Sequence, residues 1–373
     1  MTPYGFMIPG QIVFGRGTAT QAAGLVLTRG ARVVLVHGAS AARAEWLRAD
    51  LEGQGGQVTM VACPAEPDVQ GLEAAVARLR PMRPDVIVAL GGGSAIDMGK
   101  ALAALLPSTG GPLDHLEVVG QGLPLTADPL PFIAIPTTAG TGAEATRNAV
   151  LTVPDHARKV SLRDPRMIPD VAIIDSTLME GAPKSVVLAS GLDAVTQVIE
   201  PYLCTRANPL TDAICRDAIP RGLRALKAVV EGPGTQDWDD MAHVSLCGGM
   251  ALSNSGLGAV HGLAGLIGGE TGAAHGAICG VLLPPVLAAN AALVQPGSDL
   301  AARFDWVLHE VAEVYGGLSQ FADWAGAHGL PRLAVRAEDR PRIAEAARVA
   351  SSMRANPVDL SAATLEQIIA QAG

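Results

Sequence analysis

The chain has 373 residues, 49% of them apolar and 17% charged, with a formal net charge of −9. That length exceeds one small core and favours two domains. The composition excludes extended disorder, and an acidic balance without any basic run argues against a nucleic-acid surface. Aromatics make up only 3% against 43 glycines, so packing rests on small aliphatic side chains.

The opening stretch Met1-Thr-Pro-Tyr-Gly-Phe-Met-Ile-Pro-Gly10 has no basic n-region and no long apolar h-region, so no secretory signal is expected. No run of about 18 apolar residues marks a transmembrane helix. Arg32–Val36 reads as a strand, followed by a helix over 40–51 and a second strand over Val58–Ala62. A helix over 69–79, a strand over 85–90 and a helix over 94–106 come next. Pro107–Pro129, rich in Gly and Pro, reads as an irregular surface segment. Pro131–Pro136 and Val171–Asp175 are further strands. Strands alternating with helices indicate a parallel, doubly wound sheet whose ligands bind at the C-terminal strand ends.

The texture changes over Asp175–Pro183. From about Ser185 apolar residues recur at helical spacing, as in Leu223–Val230, Met241–Leu252 and Ile343–Met353. The expected organisation is an α/β dinucleotide-binding domain over 1–180 and an all-helical metal and substrate domain over 181–373. The five cysteines, at 63, 204, 215, 247 and 279, show no CxxC spacing and read as reduced thiols in a cytoplasmic protein.

Gly91-Gly-Gly-Ser-Ala-Ile-Asp97 follows a strand and opens a helix. Glycines let backbone approach a pyrophosphate, and a helix N-terminus supplies free N–H groups. The competing reading is a tight turn capped by Ser94, and the usual GxGxxG fingerprint is absent. Pro136-Thr-Thr-Ala-Gly-Thr-Gly-Ala-Glu144 also follows a strand and offers hydroxyls to a phosphate or ribose; an ordinary loop is its alternative. Asp193 and Gln197 stand four apart on one helix face, and His261 and His275 bracket a glycine-rich stretch. A carboxylate with two imidazoles is a divalent-metal ligand set that leaves a position open for substrate or water. Structural histidines are the alternative.

These pieces together resemble the iron-containing (group III) alcohol dehydrogenases of the dehydroquinate synthase-like fold. The resemblance is carried by Phe14-Gly-Arg-Gly17, Gly91–Lys100, Ile135–Glu144, Pro169–Asp175, Gly191-Leu-Asp-Ala194, Ala251–His261, Ala274-His-Gly276 and Ala355-Asn-Pro357. It implies an N-terminal α/β nucleotide domain, a helical metal domain, and a cleft between them. It implies NAD or NADP as coenzyme, a divalent iron or zinc ion, a small alcohol or aldehyde substrate, and a homodimer in the cytoplasm. The family's ligand pattern falls on Asp193, Gln197, His261 and His275, with Asp193, His261 and His275 as the catalytic set. Gln197 stands where the family has an imidazole, and Gly265 where it often has a further His near substrate. Asp193 with two His remains a sufficient three-ligand site. Gly38 occupies the place of an Asp that holds the adenosine ribose, which leans the coenzyme toward NADP, with Ser40 or Arg43 near the extra phosphate. The remaining expected coenzyme contacts are Gly91, Gly92, Gly93, Ser94, Asp97, Thr137, Thr138, Thr141 and Lys159. The reaction implied is metal-assisted hydride transfer on a small polar alcohol or carbonyl. A maleylacetate-reductase-like enzyme with weak metal dependence, a lyase of the dehydroquinate synthase type, and a non-catalytic nucleotide-binding relative are the alternatives; few basic residues near the motifs disfavour the lyase.

Overall fold

The computed structural model describes residues 3–156 and 158–373. They divide into two compact units. One comprises Met7–Thr138 with Ala143–Glu180; the other comprises Ala139–Gly142 with Gly181–Gly373 and the N-terminal residues up to Phe6.

The first unit contains strands β1 (Gln11–Phe14), β2 (Arg32–His37), β3 (Gln57–Ala62), β4 (Val86–Gly91), β5 (Phe132–Pro136), β6 (Asn148–Val153), β7 (Arg158–Arg163) and β8 (Val171–Ile174). The main sheet is parallel in the order β1-β8-β5-β4-β2-β3, and β6 and β7 form a separate antiparallel pair. Successive strand residues point to opposite faces. Val34, Val36, Ile87, Ala89, Phe132 and Ala134 therefore pack on one side, against helices α3 (Val69–Leu79) and α4 (Gly93–Leu105). Val33, Leu35, Val86, Val88, Ile133 and Ile135 pack on the other, against α1 (Ala22–Leu27) and α2 (Glu45–Gly53). Burial on both faces is why these strands read as continuous apolar runs. Between α4 and β5 the irregular stretch holds only one short helix, α5 (Pro112–His115).

The second unit is helical: α6 (Lys184–Leu203), α7 (Pro209–Glu231), α8 (Thr235–Asn254), α9 (Ala259–Thr271), α10 (His275–Leu293), α11 (Asp299–Tyr315), α12 (Leu318–Ala327), α13 (Arg340–Arg348) and α14 (Ala362–Gln371). The chain thus has the fold class that its sequence pattern implied.

Three expectations need correction. Ser94 does not cap α4: β4 runs through Gly91, Gly92 is the N-cap in extended conformation, and Ser94 already lies inside the helix. The helix over 40–51 is broken into a 3-10 turn, Ala41–Arg43, and α2, which begins at Glu45. Finally, α10 is by length and composition apolar enough to cross a membrane. Most of it is buried among neighbouring helices, and a core helix is apolar all round for that reason.

Candidate metal centre and nucleotide loop

Asp193 and Gln197 lie one turn apart on α6, and both are buried. Two turns on from Asp193 the same helix carries Glu200, also buried. Glu200 Oε1 accepts the Val260 N–H at 2.8 Å, and Asn356 Oδ1 accepts the Ala259 N–H at 2.9 Å. These oxygens satisfy the free donors at the start of α9. The other Glu200 oxygen, Oε2, accepts the Nδ1–H of His261 at 2.6 Å. A carboxylate only accepts, so this bond commits Nδ1 as donor and turns Nε2 toward Asp193. His261 Nε2 stands 3.4 Å from Asp193 Oδ1.

The chain leaves α9 at Gly272, whose left-handed φ of 69° suits a residue without Cβ. Three residues later His275 opens α10. That helix lies against α6 because Gly276 and Gly280 lack side chains. A Cβ at 276 would sit 2.1 Å from Ala189 O, and one at 280 would sit 2.4 Å from Leu192 Cδ1. The close approach sets His275 Nε2 3.9 Å from Asp193 Oδ1. It also brings in a residue that sequence reasoning passed over. Cys279, one turn beyond His275, places Sγ 3.8 Å from His261 Nε2 and 3.7 Å from His275 Nε2. One donor atom each from Asp193, His261, His275 and Cys279 lies within 4.8 Å of every other.

The cluster is electronegative. Burial pushes the Asp193 carboxyl up, but its interactions with His261 and His275 outweigh it and hold it below the usual range. Charge interactions with Cys279 and then with Asp193 outweigh burial and push His275 up to about 9. Burial alone would lower His261; Cys279, Asp193 and Glu200 together push it well above its ordinary value. Asp193 Oδ1 and Gln197 Oε1 are buried without any hydrogen-bond partner. Such an oxygen costs about 1–3 kcal/mol when left unpaired, and a cation among these donors satisfies it. Oxygen, imidazole and sulfur donors at this spacing fit a first-row divalent ion.

In the α/β unit the expected coenzyme residues gather at the C-terminal ends of β2, β4 and β5. β3 and β4 flank β2 on opposite sides, so the chain departs in opposite directions after β2 and after β4. In a doubly wound sheet this switch point is where ligands bind. Gly38 follows β2 there and Gly91 ends β4; a Cβ on Gly91 would lie 3.3 Å from Gly38 N. Thr137 N–H donates to Gly91 O at 3.0 Å, and a Cβ on Gly92 would lie 3.3 Å from Thr138 Oγ1. Gly93 and Ser94 form the first turn of α4.

The other expected contacts are engaged differently. Ser40 is exposed beside the 3-10 turn, where Arg43 donates to Leu178 O at 3.0 Å. Asp97 accepts the Val150 N–H at 3.1 Å, and Lys159 pairs with Glu66. Asp97 and Lys159 thus hold the β6–β7 hairpin and its surroundings. Thr141 counts with the helical unit and is exposed. Gly265 lies one turn beyond His261 on α9, and a Cβ there would meet nothing within 4 Å.

The family model for iron-containing alcohol dehydrogenases matches residues 9–176, and that for the C-terminal part of Fe-containing alcohol dehydrogenases matches residues 187–373. The chain belongs to the iron-containing alcohol dehydrogenase family. A probable alcohol dehydrogenase, EutG, of Salmonella typhimurium is 35% identical over 341 residues, covering 88% of this chain and 83% of its own. A 4-hydroxybutyrate dehydrogenase of Cupriavidus necator is 31% identical over 318 residues, covering 83% of each. The crystal structure of a 1,3-propanediol oxidoreductase superposes with a TM-score of 0.87 at 27% identity, covering 100% of both chains. An iron-containing alcohol dehydrogenase from Thermotoga maritima gives a TM-score of 0.87 at 26% identity, covering 99% of both. As a member of this family the chain is an oxidoreductase acting on CH–OH groups, and membership implies an NAD(P) coenzyme and a divalent metal.

Glu200 and Cys279 are the neighbours of the centre that the sequence reading missed. Each had a signal: Glu200 lies seven residues after Asp193 and Cys279 four after His275, both spacings that stack side chains on one helix face.

Proposed function

We propose that this chain transfers hydride between NAD(P) and a small polar alcohol, aldehyde or ketone, with a divalent ion held by Asp193, His261 and His275. The observation that carries this reading is the buried Asp193 Oδ1, which has no hydrogen-bond partner and faces two imidazole Nε2 atoms at 3.4 and 3.9 Å. When bound, such an ion supplies Lewis-acid polarisation of the substrate's oxygen. Gln197 offers its amide oxygen as a weaker donor beside Asp193.

The rest is the work of this chain's own groups. Glu200 holds His261 in one tautomer and one orientation, leaving Nε2 to face the centre. The amides of Gly92 and Gly93, at the start of α4, face a pyrophosphate, and the absent side chains leave it room. Thr137 and Thr138 flank the same loop from β5. Gly38 places no carboxylate at the end of β2, so a 2′-phosphate meets no repulsion and NADP(H) is accepted at least as well as NAD(H). Five free, buried cysteines accord with a reducing, cytoplasmic setting; a homodimer is the assembly we propose.

The test is His261→Ala, assayed for metal content and for alcohol oxidation together. Loss of both supports the reading. Full activity in a metal-free His261→Ala protein would remove the metal from the reaction.

A further inference from the structure

Cys279 stands at the centre without any role so far. It is fully buried, on α10, and its sulfur is nearly equidistant from two imidazole nitrogens, 3.8 Å from His261 and 3.7 Å from His275. A thiol has one proton to give, so the sulfur cannot donate to both nitrogens. Metal–ligand bonds of about 2.0–2.3 Å in a tetrahedral shell put neighbouring ligand atoms roughly 3.3–3.8 Å apart. Four of the six separations among Asp193 Oδ1, His261 Nε2, His275 Nε2 and Cys279 Sγ run from 3.4 to 3.9 Å, and every donor lies within 4.8 Å of the others. Four donors from three helices, one of them a buried oxygen with no other partner, are arranged as a shell around one ion.

We propose that Cys279, as thiolate, is the fourth protein ligand of the metal, taking the place that Gln197 leaves without an imidazole. This rests on the metal reading above and deepens it. On binding, the thiol proton passes to solvent and sulfur donates to the ion. A site of Asp, two His and Cys is softer than one of Asp and three His, and it selects zinc over iron. Two anionic ligands also cancel the ion's double positive charge. Zinc held by these four residues would still be able to expand to five ligands and polarise a substrate's oxygen.

The experiment uses the full chain, stripped with a chelator and reloaded with Co(II). A cobalt–thiolate bond gives an intense near-ultraviolet charge-transfer absorption that nitrogen and oxygen ligands do not. We expect this band in the unmodified protein, in Cys215→Ser and in Gln197→Ala, and its loss in Cys279→Ser. We further expect Cys279→Ser to lose metal to a chelator at least about tenfold faster, as follows from loss of a ligand, and Gln197→His added to it to restore retention. If Cys279→Ser does not fold, the unmodified protein still decides the matter, through its band and through a sulfur neighbour in the X-ray absorption spectrum of the zinc-loaded form. Cobalt bound without the band, or a band that persists in Cys279→Ser, overturns the proposal and leaves the metal reading standing. No cobalt uptake at all overturns both.

Discussion

Glu200 and His261 share a 2.6 Å hydrogen bond, and the same carboxylate accepts the Val260 N–H with its second oxygen. One side chain thereby fixes both the start of α9 and the orientation of the imidazole that the helix presents. A partner of this kind sets ring orientation and ligand basicity. Glu200→Gln keeps the shape but weakens the acceptor. We expect metal affinity to fall roughly 10–100-fold, measured by chelator competition, with helical content by circular dichroism unchanged. Unaltered affinity in folded protein would reduce Glu200 to a helix cap.

Gly38 offers a direct test of coenzyme preference, because a Cβ at this position meets nothing within 4 Å and a side chain fits. Gly38→Asp should raise the dissociation constant of NADPH relative to NADH by about tenfold, the effect of roughly 1.4 kcal/mol of repulsion. Fluorescence titration of both coenzymes reads it. A strong NADH preference in the unmodified protein contradicts the reading.

Gly93 is the first residue of α4. A valine there crowds the approach to the helix's free amides, and losing one or two charge-assisted hydrogen bonds costs about 1.5–3 kcal/mol each. Gly93→Val should raise the coenzyme's dissociation constant at least tenfold, roughly, by the same arithmetic. Its metal content should stay as in the unmodified protein, since the metal donors belong to the helical unit. Equal coenzyme affinity would make the loop a structural turn only.

Glu144 is buried with Oε1 unpartnered, and burial pushes its carboxyl from 4.5 up to about 7. The folded state therefore favours the protonated form. Below pH 4.5 the residue costs nothing by ionisation; the cost grows as pH rises toward 7 and is complete above it. Glu144→Gln removes that cost while keeping the shape. Nearby Lys100 keeps its own acceptors, Thr146 O at 3.1 Å and Asn148 O at 2.7 Å. We expect the variant to unfold on the order of 2–4 °C higher than the parent at pH 8 and at the same temperature at pH 4.5. A gain at pH 4.5 equal to that at pH 8 would exclude ionisation as the cause.

What could be read from the sequence follows from burial. β2, β4 and β5 are apolar on both faces and announced themselves as runs such as Val86–Leu90. β1 has four residues, too few to show a period, and the β6–β7 pair, Asn148–Val153 and Arg158–Arg163, mixes polar residues into a half-buried hairpin and escaped notice. At the centre, Asp193, His261 and His275 were legible because hard and imidazole donors near glycines suggest a metal. Cys279 was not, because a buried cysteine far from any CxxC partner reads as a small apolar core residue. Only the packing of α10 on α6 through Gly276 and Gly280 reveals where its sulfur points.

The donors of the centre ride on three separate helices: Asp193 on α6, His261 on α9, His275 and Cys279 on α10. An ion bound to all of them is a cross-link between distant stretches of chain. It stabilises the folded helical unit in proportion to how tightly it binds that state over the unfolded one. Melting of the loaded protein thus shifts with free metal concentration, and the slope measures occupancy without a substrate, a coenzyme or a turnover assay.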